Sequence, residues 1–189
     1  MQRRSFLKTA AAIIPCAGLH DVLTEYASAE APAPSASSLH VVGAGEDRFN
    51  HPTAMGFSKL LFKVAANETA GGLFLIEHKN LGPSGPPLHM HLSQEEWFYV
   101  MEGRVAFQVG EQRLELGPGE SVLTPRRVPH AFAGAGPTPA HMLIAFCPAG
   151  KMEGYFHAVD GLAKPPANPA EFFRQFDMEY IGPSPFAKT

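Results

Sequence analysis

An all-β sandwich or barrel closed by a short C-terminal helix is the fold this sequence predicts, and three observations predict it. Short apolar segments recur in quick succession between residues 59 and 146, each bounded by turn-forming residues. Gly and Pro number 18 each among 189 residues, which suits a chain of tight turns and not a helical bundle. Hydrophobic residues make up 45% and charged residues 17%, enough apolar material for one packed core and too much for a disordered chain. One domain is the natural count at this length.

The first residues read as an address. Gln2-Arg3-Arg4-Ser5-Phe6-Leu7-Lys8 resembles a twin-arginine export signal. An apolar stretch from Ala10 to Leu19 follows, then the small-x-small exit Ala27-Ser28-Ala29. Residues 1–29 are therefore expected to be a signal peptide, which implies a periplasmic or secreted protein. Cys16 follows Pro15, where a lipoprotein site wants Gly or Ala, so no stable membrane anchor is expected. Cleavage after Ala29 removes Arg3, Arg4, Lys8, Asp21 and Glu25, taking the 15 basic and 18 acidic residues to 12 and 16. That acidic balance argues against a nucleic-acid surface. No apolar run reaches the roughly 18 residues of a membrane span. Cys147 is then the one remaining cysteine, so no internal disulfide is available. At the end of Met142-Leu143-Ile144-Ala145-Phe146 it reads as a small buried hydrophobe.

Residues 30–39 alternate Ala, Pro and Ser and read as a linker, leaving 40–189 for the barrel. Gly43-Ala44-Gly45 opens like a dinucleotide fingerprint, but Arg48 stands at the third glycine's place and no helical pattern follows, so it reads as a loop. Strands are expected over Lys59–Ala65, Gly72–His78, Trp97–Met101, Val105–Val109, Gln112–Leu116, Val122–Thr124 and Met142–Phe146. The one helix expected begins at Asn168, an N-cap residue followed by Pro169 and by Glu171 at capping-box spacing. Phe172, Phe176 and Tyr180 recur every four residues, an aromatic stripe that would dock on the barrel, and Gly182-Pro183 stops it.

The strongest chemical signal lies in Pro87-Leu88-His89-Met90-His91-Leu92-Ser93-Gln94-Glu95-Glu96-Trp97. On a strand, His89 and His91 share a face, and two imidazoles on one pleated face can chelate one cation. A carboxylate from the next strand and His130, in the turn-rich Pro125–His130, complete a candidate ligand set. Three neutral imidazoles and one carboxylate suit a divalent Fe, Mn, Co, Ni, Cu or Zn and leave coordination positions open. Glu95 and Glu96 compete for the carboxylate role. Glu96 shares a strand face with Phe98 and Val100, and Glu95 shares the other with Trp97, Tyr99 and Met101, so periodicity does not choose.

These residues resemble the cupins, small jelly-roll (double-stranded β-helix) barrels. The family's first motif runs Gly, five residues, His-x-His, three or four residues, Glu, six residues, Gly, and His89, His91, Glu96 and Gly103 match it. The second runs Gly, five residues, Pro-x-Gly, two residues, His, three residues, Asn, and Gly119, Pro125 and His130 match. The resemblance spans about Phe57 to Phe156 and is nearest to single-domain quercetin-dioxygenase-like cupins. It implies a metal held by His89, His91, Glu96 and His130, with Glu96 also serving as a catalytic base. Glu95 is then a solvated or supporting residue. Three positions depart: Pro83 stands for the first Gly, with Gly82 one place early, Arg127 for the second motif's Gly, and Gly134 for its Asn. Arg resists the positive φ that Gly allows, so the turn leading to His130 is expected to differ.

His78 is expected to be structural, with a place on the cavity wall as the alternative, His40, His51 and His157 to lie in loops, and His141 to start the last core strand. Phe62, Phe107 and Phe132 read as core, with some aromatic wall left for an apolar ligand. Three classes of function fit: a metal-dependent dioxygenase of a small phenolic or enolic compound, a non-catalytic metal- or small-molecule-binding module, and a cupin isomerase or decarboxylase. Export in a folded state would load the metal in the cytoplasm, where Cu and Zn are scarce, which favours Fe or Mn. The strand Trp97–Met101 is apolar on both faces, and a homodimer is expected to cover the outer one.

Overall fold

The computed structural model describes residues 39–55, 58–160, 162 and 164–187. The signal peptide expected over 1–29 and all but the last residue of the linker lie outside the described residues.

The strands are β1 (Thr53–Met55), β2 (Ser58–Val64), β3 (Phe74–Leu81), β4 (Leu88–His91), β5 (Glu95–Glu102), β6 (Val105–Val109), β7 (Gln112–Leu116), β8 (Ser121–Thr124), β9 (His130–Gly134), β10 (Ala140–Cys147) and β11 (Met178–Gly182). They form two antiparallel sheets, one ordered β1-β2-β3-β10-β5-β8 and the other β11-β4-β9-β6-β7. This is the jelly-roll arrangement that the motifs implied, and each sheet mixes strands distant in sequence.

Alternation drives the packing. On β5, Glu96, Phe98 and Val100 are buried while Glu95, Trp97 and Tyr99 are half-exposed on the other face. Phe62, Phe74, Phe98, Phe107 and Phe146 are buried completely or nearly so, each worth about 1.5–3 kcal/mol of transfer free energy. Their rings meet edge to face or stacked, as for Phe98–Phe107 at 5.1 Å and Phe74–Phe146 at 5.9 Å. Gly103 turns β5 into β6 at φ 73°, and a Cβ there would lie 2.9 Å from Ala140 Cα, so the hairpin needs glycine.

Four expectations need correction. The C-terminal helix is α2 (Pro169–Arg174), six residues, capped as expected by the Asn168 side chain accepting from the Glu171 amide. It ends because Asp177 takes φ 56°, and the chain continues as β11, so Tyr180 sits on a strand paired with His89. A second helix, α1 (Met152–Val159), was not expected; Met152, Tyr155, Phe156 and Val159 bury its inner face, and His157 lies on it rather than in a loop. His130 begins a strand instead of closing a turn. Cys147 is exposed, because the alternation of β10 carries Phe146 inward and its neighbour outward.

Two carboxylates, buried Asp47 and half-buried Asp160, tie the N-terminal segment to this frame. Asp47 accepts hydrogen bonds from the amides of Phe62 (2.6 Å) and Phe49 (2.8 Å), and Asp160, at the end of α1, accepts from the Ala54 amide (2.9 Å).

Candidate metal centre

The pairing of β4 with β9 sets His89 directly across from His130, with ring centroids 4.5 Å apart. Two residues on, His91 turns its ring to the same side, 5.4 Å from His130. Glu96 reaches in from β5 on the facing sheet, so the two sheets contribute to one cluster. His89, His91, Glu96 and His130 are 6%, 1%, 3% and 2% exposed, and their candidate ligand atoms all lie within 4.8 Å of one another. The sequence-level set is thus brought together whole. Glu96 stands inside and Glu95 outside, where Glu95 forms a two-point ion pair with Arg126 (Nη2 to Oε2, 2.6 Å).

The hydrogen bonds fix which nitrogens face the cluster. His89 Nδ1 donates to the carbonyl of Pro87 at 2.8 Å, and His130 Nδ1 donates to that of Val128 at 3.0 Å. A carbonyl only accepts, so each ring carries its proton at Nδ1 and presents the Nε2 lone pair inward. Yet His130 Nε2 lies 2.7 Å from Glu96 Oε2. A lone pair and a carboxylate oxygen repel at that distance unless a proton or a metal cation lies between them. His91 Nε2 is 3.1 Å from the same oxygen, without hydrogen-bond alignment, and neither of its buried ring nitrogens has a hydrogen-bond partner among the described residues. Orphaned nitrogens beside a shared carboxylate oxygen are what a divalent ion would satisfy, and backbone carbonyls behind the imidazoles are the usual support of such ligands.

The electrostatics agree. Burial, then the neighbouring imidazoles, hold His89 well below the usual histidine range, so it is neutral and able to ligate. Burial alone would raise Glu96, but the close approach of the His130 and His91 rings to its carboxylate outweighs it and keeps the carboxyl ionised.

The turn before His130 has Arg127 where the motif has glycine. Arg127 itself adopts φ 62°, and its amide donates to the carbonyl of His91 at 2.7 Å, tying the second motif to the first. Arg at this left-handed position carries local backbone strain of about 1–2 kcal/mol.

A cavity of about 660 Å³ opens onto the cluster. Its wall is mostly apolar, including Leu60, Ile76, Phe132, Ile144, Phe146 and Phe173. Tyr155 also lines it, and burial together with the charge on Glu96 pushes its phenol up, so its hydroxyl stays protonated. Tyr155 went unrecognised in the sequence, although the spacing Met152, Tyr155, Phe156, Val159 is helical. The expected stripe put Phe172 forward, whereas Phe173 is the buried ring, 5.7 Å from His89. His78 is not merely structural: it is buried and lines this cavity. His141 turns away and meets Glu77 at 2.6 Å.

Residues 78–146 match the family model described as a cupin domain. The chain is 30% identical over 61 residues to an uncharacterized protein of Methanocaldococcus jannaschii, covering 32% of this chain and 49% of that one, so it spans about half the length of the relative it matches. Among solved structures, an RmlC-like cupin from Shewanella frigidimarina is similar with TM-score 0.51 and 19% identity, over 61% of this chain and 96% of that chain. A predicted oxalate decarboxylase from Thermotoga maritima is similar with TM-score 0.52 and 16% identity, over 57% and 98%. Likeness at this level is likeness of fold, and the fold of this chain is the cupin jelly roll.

Proposed function

We propose that this cupin-fold protein holds one divalent transition metal at His89, His91, Glu96 and His130 and acts as a dioxygenase on a small phenolic or enolic compound. The observation that carries the metal is the 2.7 Å approach of His130 Nε2 to Glu96 Oε2 with the ring's proton committed to the Val128 carbonyl. Three imidazoles and a carboxylate suit Fe, Mn, Ni, Co, Cu or Zn, and loading in the cytoplasm before export favours Fe or Mn. When bound, such an ion supplies Lewis acidity and one-electron chemistry towards O2, with positions open for exchange.

The chain's own residues do the rest. His91 and His130 both face Oε2 of Glu96, which leaves Oε1 to take the proton of a substrate hydroxyl. The Tyr155 hydroxyl is a neutral donor on the same wall. The apolar rings exclude water and suit an aromatic body better than a phosphate. Arg126, one of two adjacent cations shortly before His130 in sequence, is occupied by Glu95.

Oxygen uptake by Fe- or Mn-loaded protein against a panel of enols and phenols tests the reading. Uptake with at least one compound, abolished by Glu96→Gln at unchanged metal content, is expected. Saturable binding across the panel without uptake would make the protein a binder.

The export reading belongs to the same proposal: the chain folds, takes its metal in the cytoplasm and leaves by the twin-arginine route. Replacing Arg3 and Arg4 with Lys should retain precursor in the cytoplasm; unchanged export would refute it.

A further inference from the structure

His78 lies on β3, on the same strand face as Phe74 and Ile76, and its ring is on the cavity wall. It is 7% exposed, and neither ring nitrogen has a hydrogen-bond partner among the described residues. An imidazole buried without partners costs roughly 1–3 kcal/mol, so a core position would be better filled by an apolar side chain. The ring meets the edge of Phe132 at 6.1 Å, and Leu60, Ile76 and Leu81 line the same cavity. Phe132 is two residues along β9 from His130, about 7 Å of strand rise. Strand register sets Glu96 level with Phe146 and Phe74, and His78 lies four residues farther along β3, so it stands away from the metal cluster along the cavity wall.

Burial and the charge of His141 hold His78 at a pKa of about 4, so the ring is neutral at physiological pH. A neutral imidazole offers one N–H donor and one lone-pair acceptor. The complement to that pair is a hydroxyl, which also donates and accepts. A hydroxyl also costs less to desolvate than a carboxylate or phosphate.

We propose that His78 is the specificity-determining residue of this cavity, binding a hydroxyl group at the end of the ligand remote from the metal cluster. This deepens the reading of the cavity as the substrate site. It assigns the substrate class as elongated, mostly aromatic molecules with a chelating hydroxyl pair at one end and a lone hydroxyl at the other.

The test uses two probes that differ in one group, 4-phenylcatechol and 4-(4-hydroxyphenyl)catechol, titrated calorimetrically into Zn-loaded full chain. Zn does not turn over O2, so the result does not depend on the oxygenase reading. Wild type should bind the hydroxylated probe roughly 5- to 30-fold more tightly. His78→Phe should bring the two affinities together and keep or raise Tm, because an apolar ring replaces an unpartnered polar one. Equal affinities in wild type, persistent preference in His78→Phe, or no binding of either probe would overturn the assignment. A large fall in Tm in His78→Phe would show a structural role instead. Absent O2 uptake by Fe- or Mn-loaded protein would sink the oxygenase alone and leave the affinity ratio standing.

Discussion

At the scale of single residues, the cost of keeping His78 neutral has a consequence in acid. Its folded pKa of about 4 lies below the 6.5 of an unperturbed imidazole, chiefly through burial. Between those values the unfolded chain binds the proton and the folded chain does not, so stability falls as pH drops from 6.5 towards 4. The loss from this group reaches about 3 kcal/mol at the acid end of that window. Denaturant titrations of metal-free wild type and His78→Phe at pH 7 and 4.5 should show the variant losing about 2 kcal/mol less on acidification; equal losses would contradict the burial account. The role of His78 was hidden in the sequence because alternation on β3 places it inward but does not say whether a cavity or a packed side chain awaits it. Glu95 and Glu96 were ambiguous for a related reason. Both faces of β5 carry large apolar residues, and the choice needed motif spacing until Arg126 was found paired outside and the imidazoles inside.

At the scale of elements, the strands were legible wherever alternation and turn residues coincided: β6 and β7 occupy the expected residues, and β2, β3, β5, β8 and β10 shift by a few at their ends. The aromatic stripe at 172, 176 and 180 misled because a spacing of four fits a helix face and also every second pair on a strand. A left-handed residue at Asp177 switches one to the other. Helix α1 is eight residues with Gly154 inside, too short and too broken for its periodicity to stand out. The outer face of β5 leads to a further prediction. Trp97 and Tyr99 stack there at 5.8 Å, Met101 is 40% exposed, and Leu123, opposite Trp97 on β8, is 54% exposed. A second copy of the chain is the expected cover for this patch. Light scattering at micromolar concentration should give twice the mass of one chain, and Leu123→Glu should give the single mass; a wild-type monomer would exclude the dimer.

At the scale of the whole molecule, the jelly roll explains why residues 41 apart in sequence, His89 and His130, share one centre: β4 and β9 are neighbours in one sheet, and the loops between them serve both sheets. That closure was readable only through motif resemblance, since no local pattern reports which strands pair. The candidate cluster was readable in part: His-x-His on a strand pointed to it, and the motif resemblance chose Glu96 and His130, which the fold brings together with them. No described helix is long and apolar enough to cross a membrane. The central claim is that the fold exists to present one buried divalent-metal site, and elemental analysis of protein purified without chelators tests it most directly. About one Fe- or Mn-class ion per chain in wild type, lost in both His89→Ala and His130→Ala while the variants stay folded, is the predicted result. Full metal content in either variant, or a metal-free wild type that takes up no divalent ion on titration, would contradict it.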